Sequence, residues 1–182
     1  MNAQTITILS FGHFEKSFLE KVSEVVIHEF NSSVIIREAH VDISEFYDPI
    51  RRQYNGNKLL KVVDNQTGYG NSKIIGVFIV DLYIPILTFI FGQGQLGGQS
   101  AVASKYRLSN ESYGMPADEN LLLQRFTKEV IHELGHTFGL IHCHTPACVM
   151  RSSTYVEDID QKEVNICNLC RAQLEKEPPV SE

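Results

Sequence analysis

There is no run of Lys and Arg in this 182-residue sequence, and its 22 acidic residues outnumber its 16 basic ones. The formal net charge is −6. A nucleic-acid surface requires clustered Lys and Arg, because these side chains neutralise the phosphates. We therefore expect no nucleic-acid partner.

Nor is there an uninterrupted apolar stretch of membrane-spanning length. The most apolar segment, residues 74–91, contains Asp81 and Pro85, whereas a spanning helix needs about 20 mostly apolar residues. Residues 1–11 do not combine a basic region, an apolar core and a small-residue cleavage site, as a secretory signal does. We therefore expect no membrane partner and a cytoplasmic location.

Length and composition indicate a single globular domain. A chain of 182 residues can bury a sizeable core but is short for two domains. Its 43% hydrophobic and 21% charged residues are ordinary for a globular protein. We expect one domain over residues 1–182, a monomer, with residues 172–182 as a disordered tail.

Hydrophobic periodicity predicts strands and helices in the first part of the chain. Alternation indicates a half-buried strand, and apolar residues at intervals of three and four indicate an amphipathic helix. Pro, Gly and Asn indicate irregular connections. The predicted elements are a strand over 5–11, a helix over 14–30, a strand over 34–43, an irregular connection over 44–57 and a short helix over 57–64.

The second part of the chain predicts a hairpin and then a long helix. Apolar runs predict strands over 74–80, 86–91 and 101–108, and the glycine-rich segment 92–99 predicts a loop between the last two. A long helical pattern follows, with Asp118 as its N-cap. The fold class that this order favours is α+β, with a mixed sheet packed against helices.

The long helix carries three imidazoles at metal-binding spacing. His132 and His136 are four residues apart and share one helix face. Glu133 lies beside them and is a candidate general base for an attacking water. Gly139 can turn the chain back, so that His142 becomes the third ligand and a fourth position stays open.

Chance is a poor explanation of this arrangement. From the composition of the chain, the full H-E-x-x-H-x-x-G-x-x-H pattern is expected by accident in about 5 of 100,000 sequences. The alternative to a metal site is a solvated helix end that happens to carry histidines. His144, two residues beyond His142, is expected to be solvated and not to compete as a ligand.

Four cysteines form a second constellation within the last 40 residues: Cys143, Cys148, Cys167 and Cys170. Four thiolates saturate a tetrahedral zinc ion and leave no open position, so this pattern predicts a structural zinc site. Unrelated buried thiols, or a redox pair at Cys167 and Cys170, are the alternatives.

The two constellations are adjacent, because Cys143 follows His142 directly. We therefore predict that the second zinc fixes the segment that presents the third histidine. The region after Leu140 has few large apolar residues of its own, so it should be poorly ordered without metal.

These residues resemble a known family. The histidine pattern resembles the metzincin metallopeptidases, and its continuation through the four cysteines and Met150 resembles the archaemetzincin family in particular. Residues 47–54, 81–85 and 89–92 are also similar to stretches of that family. The resemblance therefore covers most of the chain.

The resemblance implies a metzincin-like domain with a mixed twisted sheet above a long active-site helix, and a C-terminal zinc-bound segment. It implies that Met150 lies in a tight turn beneath the catalytic zinc. It also implies an edge strand that holds a peptide, which we expect near residues 101–108 or 89–91. Tyr155 does not match the extra tyrosine of some metzincins in spacing from Met150, and we expect it to be a surface or packing residue.

The function that follows is zinc-dependent hydrolysis of peptide bonds in a peptide or protein substrate, with two zinc ions per chain. A zinc-binding interaction protein without peptidase activity is the alternative. A zinc hydrolase with a non-peptide substrate stands third, because the same ligands can support it.

Overall fold

The computed structural model describes residues 4–66 and 72–175. The strands are β1 (Thr5–Phe11), β2 (Ser33–Glu38), β3 (Tyr47–Asp48), β4 (Gln53–Asn55), β5 (Lys73–Phe78), β6 (Leu82–Ile84), β7 (Leu87–Ile90), β8 (Gly92–Gly94) and β9 (Ser100–Ser104). The helices are α1 (Lys16–Phe30), α2 (Gly56–Asp64), α3 (Glu119–Thr137), α4 (Val156–Asp160) and α5 (Asn168–Leu174). None of the helices in these two ranges is both long and apolar enough to cross a membrane.

A five-stranded sheet in the order β2-β1-β5-β9-β8 forms the centre of the fold. The first four strands are parallel, and β8 runs antiparallel to β9. A smaller sheet has the order β3-β4-β6-β7. The expected mixed sheet with helices is therefore confirmed.

Both faces of the main sheet are covered. Every residue of β5 is buried, as its continuous apolar run predicted. Helices α1 and α3 enclose one core with inward residues such as Ile8 and Val77. Helix α2 encloses the other core, where Phe11 and Phe78 stack with ring centroids 4.4 Å apart. The result is three layers, with α3 held against the sheet.

Helix α3 begins on the surface and ends in the interior. The carboxylate of Asp118 accepts a hydrogen bond from Leu121 N at 2.9 Å, so the predicted N-cap is confirmed. Toward its C-terminal end, residues 129–135 are all buried, because the sheet covers one side and the chain after Leu140 covers another. The polar side chains of this end therefore lie inside the molecule.

Two predictions for residues 34–57 were wrong. Strand β2 ends at Glu38 instead of continuing to residue 43. The predicted irregular connection contains β3 and β4, which pair with each other, and β4 also pairs with β6. Strands of two or three residues are too short to show an alternating pattern. Asp48 closes the turn between them by accepting hydrogen bonds from the amides of Ile50 and Arg51.

The predicted hairpin was also placed wrongly. It joins β8 to β9, with Gly92 opposite Ala103, so part of the predicted loop 92–99 is a strand. Strand β7 pairs with β6 instead. Residues 101–108 do not form an edge, because β9 lies between β5 and β8. Strand β7, which includes residues 89 and 90, does lie at an edge of the smaller sheet.

The C-terminal segment contributes to the core more than its sequence suggested. Val149, Met150, Val156, Ile159 and Ile166 are all buried in the cluster that includes α1 and α3. Helix α5 continues to Leu174, so the first residues of the predicted disordered tail 172–182 are helical. The rest of that prediction, from residue 176 onward, lies outside the described residues.

Glu29 ties this segment to α1. It is 1% exposed, and its carboxylate accepts hydrogen bonds from Asn165 Nδ2 at 2.9 Å and Ile166 N at 3.1 Å. Arg171 donates to the same carboxylate and to the backbone carbonyl of Glu29. Burial alone would raise the pKa of Glu29, but these hydrogen bonds and the charge of Arg171 outweigh it and hold that pKa below its ordinary value.

The substitution Glu29→Gln should therefore lower the free energy of unfolding by about 2 to 3 kcal/mol at neutral pH, because Arg171 and Ile166 N lose a charged partner. A depressed pKa stabilises the fold above the pKa of the unfolded chain, and this contribution is lost as the pH falls through the folded pKa. The difference between the two proteins should thus narrow as the pH falls below 4.5, the ordinary pKa of Glu. Urea unfolding at several pH values measures it.

The exposed Glu24, on the same helix, offers a matched control. Glu24→Gln should leave the unfolding curve unchanged. An equal effect of both substitutions, or a difference from the wild type that does not depend on pH, would contradict the anchoring role of Glu29.

Candidate active site

Three imidazoles converge at the buried end of α3. The ring centroids of His132 and His136 lie 4.7 Å apart, and that of His142 lies 5.3 Å and 5.1 Å from them. One nitrogen from each ring falls within 4.8 Å of the others. The spacing of the motif therefore brings the three predicted ligands together.

Hydrogen bonds fix how two of these rings face each other. His132 Nδ1 lies 2.8 Å from the carbonyl oxygen of Val149, and His136 Nδ1 lies 2.7 Å from that of Leu140. Since a carbonyl only accepts, both Nδ1 atoms carry the proton and both Nε2 atoms carry a lone pair. The two Nε2 atoms are 3.2 Å apart. Two acceptors that face each other at this distance are stable only around a cation, so the donor set fits a metal ion.

Gly139 makes the turn that brings His142 back. Its φ is +88°, in the left-handed region where residues with a Cβ are strained. The amide of Gly139 donates to His136 O at 2.9 Å and that of Leu140 donates to Gly135 O at 3.0 Å. This is the Schellman pattern of a helix C-terminus. The predicted role of Gly139 thus has a definite geometry.

The electrostatic environment keeps the rings neutral. Burial lowers the pKa of His132 well below its usual value, and burial also lowers the pKa of His136 and of His142. Lys162 adds to the effect on all three through its positive charge. Only the neutral imidazole binds a metal ion, so the site is prepared for one at neutral pH.

Glu133 lies against Glu129 as well as beside the histidines. The two side chains are 5% and 4% exposed. They share a hydrogen bond that requires a proton on one of the two carboxyl groups. Burial first, and then the charge of Glu129, raise the pKa of Glu133 well above its ordinary value, while Lys162 acts in the opposite direction. Sequence reasoning missed Glu129 and Lys162. The spacing of four residues between the glutamates was a readable signal, but nothing in the sequence linked Lys162 to them.

The four cysteines also come together. Cys143 Sγ lies 3.8 Å from Cys167 Sγ, and Cys148 Sγ lies 3.9 Å from Cys170 Sγ. Zn–S bonds of about 2.3 Å in a tetrahedron give S···S edges of about 3.8 Å, whereas a disulfide is about 2.05 Å long. All four sulfur atoms fall within 4.8 Å of one another. The arrangement fits a closed four-thiolate site.

The thiols differ in acidity. Burial would raise the pKa of Cys167, but hydrogen bonds from the amide of Cys170 and from neighbouring side chains overcome it and lower that pKa to about 6. Burial raises the pKa of Cys148 and that of Cys170 above the ordinary value. At neutral pH Cys167 is therefore the thiolate from which a metal site would form.

Met150 joins the two clusters. It is fully buried, and its thioether fills the space next to Gly135, where a Cβ would overlap Sδ and lie 2.9 Å from Cε. Its carbonyl accepts a hydrogen bond from Cys143 N at 2.9 Å. Met150 thus packs beneath the helix turn that carries the histidines, and its backbone fixes the first cysteine.

A cleft of about 460 Å³ opens above the histidines. Residues of strands β7 and β8 and residues 152–155 line it together with the three histidines. Tyr155 stands at the rim with 64% of its surface exposed. His144 is exposed and belongs to neither cluster.

The comparisons with known proteins agree with this geometry. Residues 29–176 match the model of peptidase family M54. The archaemetzincin of Thermococcus kodakarensis is 35% identical over 178 residues, which cover 94% of this chain and 95% of the relative. That of Pyrococcus horikoshii is 41% identical over 140 residues, which cover 75% and 74%.

Solved structures are similar over almost the whole chain. A zinc-dependent peptidase from Methanocorpusculum labreanum superposes with a TM-score of 0.85 at 30% identity, covering 93% of this chain and 100% of that one. The archaemetzincin of Methanopyrus kandleri superposes with a TM-score of 0.82 at 31% identity, covering 95% and 94%.

The fold, the three-histidine cluster and these similarities define the class of protein, a zinc metallopeptidase. Within that class, the chain belongs to peptidase family M54, the archaemetzincins. The resemblance noted in the sequence is confirmed.

The turn at Gly139 can be tested by substitution. Gly139→Ala should weaken zinc binding at the three histidines about tenfold, because about 1 to 2 kcal/mol of left-handed strain displaces the segment that carries His142. Titration with a competing chelator measures this affinity.

Gly114→Ala is the matched control, since Gly114 also has a left-handed φ of +72° with no atom near its missing Cβ, in a loop away from both clusters. It should destabilise the fold similarly and leave zinc affinity unchanged. Unchanged affinity in Gly139→Ala would show that the turn does not position His142.

Proposed function

We propose that this protein hydrolyses peptide bonds with a zinc ion held by His132, His136 and His142, and with Glu133 as general base. The observation that carries the proposal is the pair of Nε2 atoms 3.2 Å apart, both acceptors, with the third imidazole beside them. A bound zinc ion would supply Lewis acidity, acidifying its water and polarising the substrate carbonyl.

The residues of the chain perform the remaining tasks. The carbonyls of Val149 and Leu140 hold the rings of His132 and His136 with their lone pairs toward the ligand position. Glu133 follows His132 on the helix and lines the cleft, where its carboxylate accepts the proton of the attacking water. The same carboxyl group then protonates the leaving amine.

The raised pKa of Glu133 suits both proton transfers, from the attacking water and to the leaving amine. A carboxyl group with an elevated pKa is a stronger base than an ordinary carboxylate, and near neutral pH it can hold the accepted proton until the leaving amine takes it. Burial is the main cause of the elevation. The closed environment at the end of α3 is therefore part of the proposed chemistry.

A second zinc ion, bound by Cys143, Cys148, Cys167 and Cys170, is proposed as structural. The S···S separations of 3.8 and 3.9 Å support it. Such a site has no position for water or substrate, so it holds the C-terminal segment in place. We thus propose two zinc ions per chain.

The proposed substrate is a peptide or protein, bound in extended form along the cleft. Strand β8 supports this, because it is an edge of the main sheet and its backbone lines the cleft. We propose that the protein acts as a monomer. Four thiols held free for metal suit a reducing compartment, for which the cytoplasm is our proposal. No observation favours an interaction protein without turnover.

Replacing the proposed base gives the direct test. Glu133→Gln should lower kcat for a panel of short peptides by at least about 100-fold, because the amide cannot accept the proton. Zinc content should stay the same, since Glu133 is not a ligand. Peptide cleavage followed by mass spectrometry, with metal analysis of the same samples, measures both.

Glu119→Gln, an exposed change in the first turn of the same helix, is the control and should retain full activity. Undiminished cleavage by Glu133→Gln would remove Glu133 from the mechanism. If the zinc-loaded wild type cleaves no peptide, the proposed function itself is wrong.

The coupling of the two zinc sites gives another prediction. The double substitution Cys167→Ser with Cys170→Ser should remove the structural zinc and lower the melting temperature by at least about 10 °C. Zinc binding at the three histidines should also weaken, because the amide of Cys143 donates a hydrogen bond to Met150 O and Cys143 adjoins His142. Metal analysis and thermal unfolding measure these effects.

Asn168→Ser is a matched control on the exposed side of the same turn and should change neither quantity. Full histidine-site zinc and an unchanged melting temperature in the cysteine variant would contradict the coupling.

A further inference from the structure

We propose that Glu129 is a positioning residue for Glu133, and that Lys162 supplies the positive charge that allows both carboxyl groups to be buried together. The proposal rests on the proposed function, because it assigns the orientation of the base to a neighbour. Neither Glu129 nor Lys162 is part of the zinc-binding motif.

The two glutamates are one helical turn apart on the same face of α3. Each is at most 5% exposed. A hydrogen bond between the two carboxyl groups, which requires a proton on one of them, limits the rotation of the Glu133 side chain. Both line the cleft above the histidines. Glu129 is therefore in place to hold the base toward the reacting atoms without binding the metal.

Strand β8 packs against the side chains of Glu129 and Glu133. A Cβ on Gly92 would lie 2.7 Å from Glu133 Cγ and 3.1 Å from Glu129 Oε1, and one on Gly94 would lie 3.2 Å from Glu133 Oε2. The strand has glycine at both positions, so its backbone lies directly on the two side chains. The Glu133 side chain is thus confined between β8 and Glu129.

Lys162 reaches the pair from the chain that precedes Cys167. It is 2% exposed, and its Nζ donates to the carbonyl oxygen of Arg151 at 2.8 Å. Burial lowers the pKa of Lys162, while the charges of Glu129 and Glu133 raise it. Arg151 adjoins Ser152 and Ser153, which line the same cleft as both glutamates, so the ammonium group is placed to compensate the carboxylates. It acts from a segment that also carries the cysteines.

We expect this arrangement to cost stability. Burying two adjacent carboxyl groups is unfavourable, and a buried ion cluster is often less stable than neutral side chains of the same shape. Removing Glu129 should therefore stabilise the protein while impairing turnover. A residue with a purely structural role would show the opposite effect on stability.

The first experiment compares Glu129→Gln and Glu129→Leu with the control Glu119→Gln. We expect kcat to fall about 10- to 100-fold in Glu129→Leu, as for other residues that orient an active-site group. Glu129→Gln should retain more activity, because its amide can still hydrogen-bond to Glu133. KM should change less than about twofold, because the orientation of the base acts on the chemical step.

Two readouts do not depend on activity. Zinc content and chelator competition should match the wild type in both Glu129 variants. The melting temperature of Glu129→Gln should rise by about 2 to 4 °C, because one buried carboxylate is gone. Neither result needs a substrate.

The second experiment tests the charge compensation. Lys162→Met should lower the melting temperature, since two buried carboxyl groups lose their counter-charge. Glu129→Gln should then raise the melting temperature of the Lys162→Met protein by more than it raises that of the wild type. Lys16→Met, on the exposed face of α1, should be neutral.

Each part of the proposal has its own contradicting result. Wild-type kcat in Glu129→Leu, or a fall only in proportion to lost zinc or folded protein, overturns the positioning role. Additive effects of Lys162→Met and Glu129→Gln on melting temperature overturn the charge compensation. A zinc-loaded wild type without peptidase activity would instead contradict the proposed function, and the thermal series would still decide whether the three groups are coupled.

Discussion

The structure depends on one constraint: the polar side chains at the buried end of α3 must all find partners inside the protein. Unpartnered polar groups are costly in an apolar interior. The carbonyls of Val149 and Leu140 accept from the two helical histidines, and Glu129 bonds to Glu133. The chain after the helix therefore has to return over its end, because that return supplies the partners.

The returning segment is held by more than its thiols. Glu29 binds it from α1, and Arg125 binds Asp160 in α4 with nitrogen to oxygen distances of 2.7 Å. Buried apolar residues of this segment also complete the core. These ties act without metal, so they oppose the predicted loss of order in the metal-free protein. The proposed zinc site at the four cysteines would add to these ties.

The part of the site that could be predicted from the sequence is the part that depends on the spacing of residues close together in the chain. Helical geometry dictates that His132 and His136 share a face, and Gly139 was readable as the turn because of its flexibility. The cysteine cluster followed from the pairing of its members along the chain. The N-cap at Asp118 and the full burial of β5 were readable for the same reason.

Features that depend on distant partners were not predictable. The glycines of β8 were interpreted as a loop, but they are required because the strand lies directly on Glu133 and Glu129. Strands β3 and β4 exist through pairing with each other and with β6, and their two or three residues carry no pattern. Lys162 meets the glutamates only through the tertiary fold. In each case the cause is a contact between residues far apart in sequence.

The fit of Met150 against Gly135 makes the centre of the molecule intolerant of added volume. No Cβ can be accommodated on Gly135, and an oxygen atom added to the sulfur would bring a polar group into an apolar contact. Complete burial of the side chain keeps dissolved oxidants away from it. Close packing around Met150 therefore has two effects. It keeps oxidants away from the sulfur, and it means that any oxidation of Met150 would disturb the helix turn that carries the histidines.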